Sequence, residues 1–168
     1  MSVRGTLGLL AALALLVLYL LAVDPPATHL PEPEDPLLTV PAARVNTLEV
    51  TWPDARLRIV RRDGAWNGDG HGAPPEGMID DFLAALGTIH PTDALTPSGT
   101  DATDYGLGPA ATVLTVSAGD APVLQLQVGD RNPAWTGVYV RRTGSAEILL
   151  VGALLHWELQ KLHSAAPR

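Results

Sequence analysis

Three residues in a glycine-rich stretch have the types and spacing that open a calcium-binding loop. Asn67, Asp69 and His71 occupy alternate positions, as the first ligands of such a loop do. The twelfth position of the loop would be Met78, where a bidentate Glu is needed, and His is a poor calcium ligand. A plain glycine-rich turn explains these residues better, and we expect no calcium site.

His71 also belongs to a second set of residues that could hold zinc or supply a general base, together with His90, Asp80 and Asp81. Adjacent residues on a helix point about 100° apart, so the two aspartates would face different ways. None of the histidines has the His-x-x-x-His spacing of a zinc site. A solvated helix face explains the set better than a metal centre.

Two histidines near the C-terminus fall on one predicted helix. His156 and His163 are seven residues apart, which is roughly 10 Å along a helix axis. At that separation they need other ligands to share an ion, so we expect them at the surface or at an interface.

The usual signatures of catalysis do not occur in the sequence. No serine lies in Gly-x-Ser-x-Gly or Ser-x-x-Lys, and the single lysine, Lys161, belongs to no phosphate-binding loop. The chain has no cysteine, which excludes a thiolate nucleophile, a thiolate metal site and disulfides. A glycosidase needs only two carboxylates across a cleft, so an envelope hydrolase is the alternative. We expect no catalytic, cofactor-binding or metal-binding residue.

The aromatic side chains are the better candidates for binding. Trp135 lies in the turn sequence RNPAWTG, where core packing is least expected. An exposed Trp beside Arg131 and Arg141 would resemble an interface anchor, although the ring could instead fold back over the sheet edge. The large rings are Trp52, Trp66, Trp135, Trp157, Tyr105 and Tyr139, and the candidate interaction residues are Trp135, Tyr139, Tyr105 and Arg131.

Length and charge limit the possible partners. With 168 residues the chain is long enough for one domain and its attachments. Its 11 basic and 18 acidic residues give a net charge of −7, which would repel DNA or RNA. We therefore expect no nucleic-acid partner.

The N-terminal segment has the pattern of a membrane span. Residues 5–23 contain no charge and nine leucines, and nineteen helical residues reach about 28 Å, close to the hydrocarbon thickness of a bilayer. A signal peptide would have a shorter apolar run and small residues before its cleavage site. Arg4 precedes the span and four acidic residues follow it, which predicts a cytoplasmic N-terminus and a domain outside the cytoplasm.

A proline-rich linker is predicted after the span. Residues 24–41 include six prolines, which favour an extended backbone without regular hydrogen bonds. We divide the chain into a cytoplasmic tip and transmembrane helix at residues 1–23, a linker at 24–43 and an extracytoplasmic α+β domain at 44–168. The linker would hold the domain away from the bilayer.

The remaining sequence predicts antiparallel strands and two packed helices. Alternating apolar residues predict a hairpin that turns at Pro53-Asp54, and a third strand follows Asp63-Gly64. Four later β-rich runs, separated by turn sequences, predict a meander over residues 111–151. The run from Ile89, which carries Pro91, is irregular or a short edge strand. Apolar positions at helical spacing predict helices near residues 75–87 and 153–163.

Several pieces of this sequence resemble a bacterial domain-of-unknown-function family, number 4340. They are RDGAW at 62–66, LAAL at 83–86, DYGLGP at 104–109, LQLQVGD at 124–130, PAWTG at 133–137, VYVR at 138–141 and ILLV at 148–151. The resemblance implies a membrane-anchored domain on the outer face of the bacterial inner membrane, often encoded beside ABC-type exporters. It attaches no chemistry to any residue. We therefore expect an accessory or partner-binding module, anchored by residues 5–23 and linked to such an exporter.

Overall fold

The computed structural model describes residues 35–68, 74–96 and 102–166, together with five separate residues near the N-terminus. Those five are helical and exposed, and they are Ala12, Leu13, Leu15, Leu16 and Tyr19. The chain divides into two compact units, Met1–Pro33 and Glu34–Arg168. Within the described residues, no helix has both the length and the apolar character that a membrane crossing requires. The predicted span at 5–23 and the linker up to residue 34 fall mainly outside those residues.

The described residues of the second unit form eight strands and two helices. The strands pair, all antiparallel, into one sheet in the order β3-β2-β1-β5-β6-β7-β8-β4. Their bounds are β1 Thr47–Thr51, β2 Arg56–Arg62, β3 Ala65–Gly68, β4 Pro91–Leu95, β5 Thr112–Ala118, β6 Ala121–Arg131, β7 Gly137–Arg142 and β8 Ile148–Gly152. The helices are α1 Met78–Leu86 and α2 Leu154–Ala165, and short 3-10 turns cover Ala42–Arg44 and Ala102–Tyr105. The α+β class predicted for the domain is confirmed.

Strand alternation places the core on one face of the sheet. In β1, Leu48 and Val50 are fully buried, whereas the intervening Glu49 is half-buried. The register sets Leu48 opposite Ile59 of β2 and Val116 of β5, so their side chains share the same face. Apolar rows therefore continue across neighbouring strands.

Both helices cover that face. The spacing i, i+3, i+4, i+7 in α1 buries Ile79, Phe82, Leu83 and Leu86 in one cluster with the sheet. In α2 the cluster includes Leu155, Leu159 and Leu162. Such a stripe binds a helix to a sheet by apolar burial, which is why each predicted helix forms where the 3.6-residue period occurs.

Two residues of the predicted linker, Leu37 and Leu38, pack into the apolar core of the domain. Leu37 and Leu38 are 1% and 4% exposed, and their N–H groups donate to the carbonyls of Ile89 and Leu86 at 2.9 and 3.1 Å. Burial of one leucine is worth about 1.5–3 kcal/mol, so this segment belongs to the domain. Proline makes the backbone extended, and the apolar pair then docks it beside α1.

Residues 91–95 form an edge strand, one of the two alternatives for this segment. β4 pairs with β8 at the end of the sheet. An edge is where Pro91 can be accommodated, because proline has no N–H to donate to a ladder. β3 continues to Gly68, although residues from Asn67 onward were expected to form a loop.

Candidate functional site

The turn between β6 and β7 presents Trp135 to solvent. The Asn132 side-chain oxygen accepts hydrogen bonds from the N–H groups of Thr136 and Gly137, at 2.9 and 3.0 Å. The Trp135 N–H donates to the Asn132 carbonyl at 2.9 Å, and Trp135 has a φ of 62°. These bonds hold Trp135 in a left-handed conformation that few non-glycine residues adopt. The side chain is 69% exposed, so it does not fold back over the sheet edge.

The same turn is attached to the start of α2. The N–H of Ala153, immediately before the helix, donates to the Thr136 carbonyl at 3.0 Å. Gly137 lies so close to β8 that a Cβ there would collide with the Val151 carbonyl. The turn therefore packs directly against the β8–α2 connection, which brings the first turn of α2 beside Trp135.

Arg131 lies between two tryptophans. Its Cζ is 4.9 Å from the ring centroid of Trp135 and 5.0 Å from that of Trp157, which is on α2. Cation–π contacts at exposed sites are worth about 0.5–1 kcal/mol each. We call these three residues, Trp135, Arg131 and Trp157, the Trp-Arg-Trp stack.

Arg131 pairs with no carboxylate in the described part of the chain, although Asp130 precedes it in sequence. None of the ion pairs formed there includes Arg131, whereas Arg56, Arg58 and Arg61 each pair with a carboxylate. The chain has a net charge of −7. Arg131 differs from the paired arginines because it is half-buried and contacts two aromatic rings instead of a carboxylate.

A groove runs from the stack between α2 and the sheet. His156 connects the two, because its ring is 5.6 Å from that of Trp157 and its side chain also lines the groove. The groove has a volume of about 260 Å³, and its lining includes Trp52, Val128, Leu159 and His163. Burial, with a smaller contribution from the Arg131 charge, lowers the pKa of His156 from its ordinary value.

The other C-terminal histidine lies farther along this groove. The ring of His163 is 5.0 Å from that of Trp52 in an edge-on contact, and its Nε2 is 3.1 Å from the Asp54 carboxylate. His156 and His163 thus line one surface, in agreement with their expected surface or interfacial position. Across the described ranges, no three His, Asp or Glu residues converge as a metal centre would require.

The structure separates the four predicted interaction residues into two pairs. Arg131 and Trp135 are together in the stack, whereas Tyr105 and Tyr139 contact each other with ring centroids 4.9 Å apart. The neighbours of Tyr139 in β7, Val138 and Val140, point into the core, so Tyr139 faces the other side of the sheet. The tyrosines therefore form a separate contact.

Trp157 belongs to the stack but is not one of the four interaction residues predicted from the sequence. Leu155, Leu159 and Leu162 of the predicted helix form its apolar stripe, and Trp157 falls off that stripe, which indicates exposure. Its side chain is 53% exposed. The sequence pattern could therefore have marked it as a surface tryptophan, but not as a neighbour of Arg131.

The remaining candidates do not form a site in the described residues. Asp80 accepts a hydrogen bond from the Trp66 indole at 3.0 Å and lies 3.4 Å from Arg61, so it ties α1 to the strand edge. His90 is exposed. Asp69 and His71, which belong to the proposed calcium and zinc groups, lie outside the described residues.

A comparison with protein families matches residues 76–164 to a domain of unknown function, DUF4340. The chain belongs to the DUF4340 family. The match covers just over half of the chain, from the residues before α1 nearly to the end of α2. It contains the stack and six of the seven pieces that carried the resemblance, while RDGAW at 62–66 precedes it. No curated protein and no solved structure matches the chain.

Two pieces of the DUF4340 resemblance meet in the structure. A Cβ on Gly129 of LQLQVGD would collide with the Tyr105 carbonyl of DYGLGP. A Cβ on Gly106 would lie 2.5 Å from the Asp130 N, and Gly106 has a φ of 72°. Both positions need glycine for close backbone approach. These residues position the 3-10 turn at Ala102–Tyr105 against β6 and so have a structural role.

Proposed function

We propose that this DUF4340 chain is a partner-binding module and that the Trp-Arg-Trp stack is its docking anchor. The observation that carries the proposal is the exposure of both rings, 69% for Trp135 and 53% for Trp157. Both nevertheless contact Arg131, which restricts the orientations that the rings can adopt. Trp and Arg are the residue types that dominate binding energy at protein interfaces, and ordering before contact reduces the entropic cost of association.

The stack contributes too little to the stability of the fold to explain why two tryptophans are exposed. Its two cation–π contacts together contribute about 1–2 kcal/mol. A buried tryptophan is worth about 3–5 kcal/mol when truncated to alanine. Selection for stability alone would favour burial of these rings, so contact with another molecule accounts better for their position.

We further propose that the module is anchored in the bacterial inner membrane through residues 5–23, with its domain outside the cytoplasm, and that an ABC-type exporter is its partner. The support is the uncharged N-terminal segment, the charge on either side of it and the family resemblance. A periplasm-dependent reporter fused after Arg168 should be active and a cytoplasm-dependent one inactive. A mature N-terminus at Asp24 would contradict the retained anchor.

The docking role is tested with three variants of the full chain. Trp135→Ala and Trp157→Ala should each reduce co-purification with the exporter subunits several-fold, while the free energy of unfolding changes by less than about 1–2 kcal/mol. Leu154→Ala is the matched control, because Leu154 is also on α2 and 45% exposed but lies outside the stack. A large loss of stability in Trp135→Ala, or equal recovery of all variants, would contradict the proposal.

A further inference from the structure

The geometry of Arg131 determines which of its atoms can meet a ligand. The guanidinium lies over the rings of Trp135 and Trp157, with its Cζ about 5 Å from each ring centroid. The N–H groups point outward in the plane of the group, and within the described residues the Arg131 side chain makes no hydrogen bond. A guanidinium with free in-plane donors has the geometry that binds a carboxylate through two parallel hydrogen bonds.

The surroundings strengthen an interaction with an anion. Two large rings exclude water beside the cation, which raises the electrostatic attraction above its value in bulk solvent. Arg131 forms no ion pair within the described residues, and the side chain of the preceding residue, Asp130, lies against Gly106 instead. The charge is therefore left for an external partner.

The groove beside the stack suits an apolar group. Trp52, Val128 and Leu159 contribute its apolar lining, and His156 lies between the groove and Trp157. Its volume of about 260 Å³ is below the roughly 300–1,000 Å³ of sites that enclose whole small molecules. It matches a single large side chain of a docked polypeptide.

We propose that Arg131 binds the C-terminal carboxylate of the partner polypeptide and that the apolar side chain of the partner's last residue enters the groove. This inference rests on the proposed docking role of the stack and adds the chemistry that the stack recognises. It also identifies Arg131, and not either ring, as the residue that selects the partner by charge.

Two small probes that differ only in charge test the inference. N-acetyl-phenylalanine carries the carboxylate and an aromatic side chain, and N-acetyl-phenylalanine amide is its neutral counterpart. The full chain, ¹⁵N-labelled and held in detergent micelles, is titrated with each probe, and the indole N–H signals of Trp135 and Trp157 are followed. The indole of Trp66, which is hydrogen-bonded to Asp80, is the internal control.

The acid should bind roughly tenfold more tightly than the amide, because only the acid gains charge-assisted hydrogen bonds. Added salt should reduce this difference. Arg131→Gln should abolish the difference between the probes, whereas Arg141→Gln should leave it intact, because Arg141 donates to Gln127 on the other side of the sheet. Arg131→Lys, which retains charge without the planar donors, should give an intermediate difference.

The outcomes separate the inference from the docking role. Carboxylate recognition would be overturned if the acid and the amide bound equally, or if neither changed the indole N–H signals of Trp135 and Trp157. This holds even if Trp135→Ala still reduces co-purification with the exporter. A preference for the acid that survives in Arg131→Gln would overturn the assignment to Arg131. Failure of the docking role would instead appear as unchanged partner recovery in both tryptophan variants.

Discussion

At the scale of single residues, glycines rather than charges determine how the family motifs meet. Gly129 allows β6 to approach the Tyr105 carbonyl, and Gly106 allows the reciprocal approach to Asp130. The backbone cannot retreat from an added methyl group as a flexible side chain can, so each position restricts the sequence for steric reasons. Packing therefore explains why glycine occurs at these positions of DYGLGP and LQLQVGD.

Gly129→Ala should lower the free energy of unfolding by about 1–3 kcal/mol or more, because the new Cβ would overlap the Tyr105 carbonyl. Gly152→Ala is the matched control, since a Cβ at Gly152 meets nothing within 4 Å. Urea unfolding followed by tryptophan fluorescence measures both. Equal stability of the two variants would show that the 102–105 turn can move away from β6 at little cost.

His156 should make the stability depend on pH. Burial, and to a smaller extent Arg131, lower its pKa below 6.5 in the folded state, so between that lowered pKa and 6.5 the unfolded chain binds more protons than the folded one. Stability contributed by the neutral imidazole is therefore full above 6.5 and is lost as the pH falls through the folded pKa.

His156→Gln should weaken this pH dependence, and Arg131→Gln should weaken it less, because the larger cause, burial, remains. Thermal unfolding of the three proteins at a series of pH values below neutrality measures the effect. If His156→Gln lost stability on acidification as steeply as the parent chain, other groups would be responsible.

At the scale of elements, α2 has two roles because its side chains divide by position around the helix. Leu155, Leu159 and Leu162 are buried in the core, while His156 and Trp157 face the groove and the stack. The segment at residues 35–41 similarly combines an extended proline-rich backbone with two buried leucines. In both elements, the buried residues fix the position of the exposed ones.

Leu37→Ala should lower the free energy of unfolding by about 2–5 kcal/mol, the usual cost of truncating a fully buried leucine. Leu37 is 1% exposed, whereas the control Leu154→Ala removes a side chain that is 45% exposed and should cost little. Chemical denaturation measures both variants. A cost below about 0.5 kcal/mol for Leu37→Ala would indicate that residues 35–38 behave as part of the linker after all.

At the scale of the whole molecule, one extended apolar cluster joins the sheet, both helices and residues 37–38. A domain of this size buries about two-thirds of the surface that its unfolded chain exposes, which suffices without a disulfide or a metal. The absence of cysteine from the sequence is consistent with that expectation.

The fragment 34–168 should fold alone and unfold in one cooperative transition, whereas a fragment that begins at residue 44 should be less stable because it lacks Leu37 and Leu38. A chelator should leave the midpoint of 34–168 unchanged. A fall of more than a few degrees would revive a metal site at Asn67, Asp69 and His71. Differential scanning calorimetry with and without the chelator measures both effects.

Most helices and strands of the domain could be predicted from the amino-acid sequence alone. Period-2 alternation predicted β5–β8 in their meander, and period-3.6 spacing predicted α1 and α2. Turn chemistry made exposure of Trp135 one of two alternatives, and the structure shows that it is 69% exposed. These features depend on neighbours within a few residues, so local patterns are sufficient to reveal them.

The contacts between elements could not be predicted from the sequence, because they depend on how the whole domain folds. Several contacts join residues that are distant in sequence or on different elements. Strand β1 pairs with β5, and β4 pairs with β8. Leu37 and Leu38 dock beside α1, and Arg131 contacts both Trp135 and Trp157. The pattern within a strand or helix states which face is buried but not which partner buries it. Strand register and the packing of the domain select that partner. They bring Arg131 and Trp135 together in the stack and place Tyr105 and Tyr139 in a separate pair on the other side of the sheet.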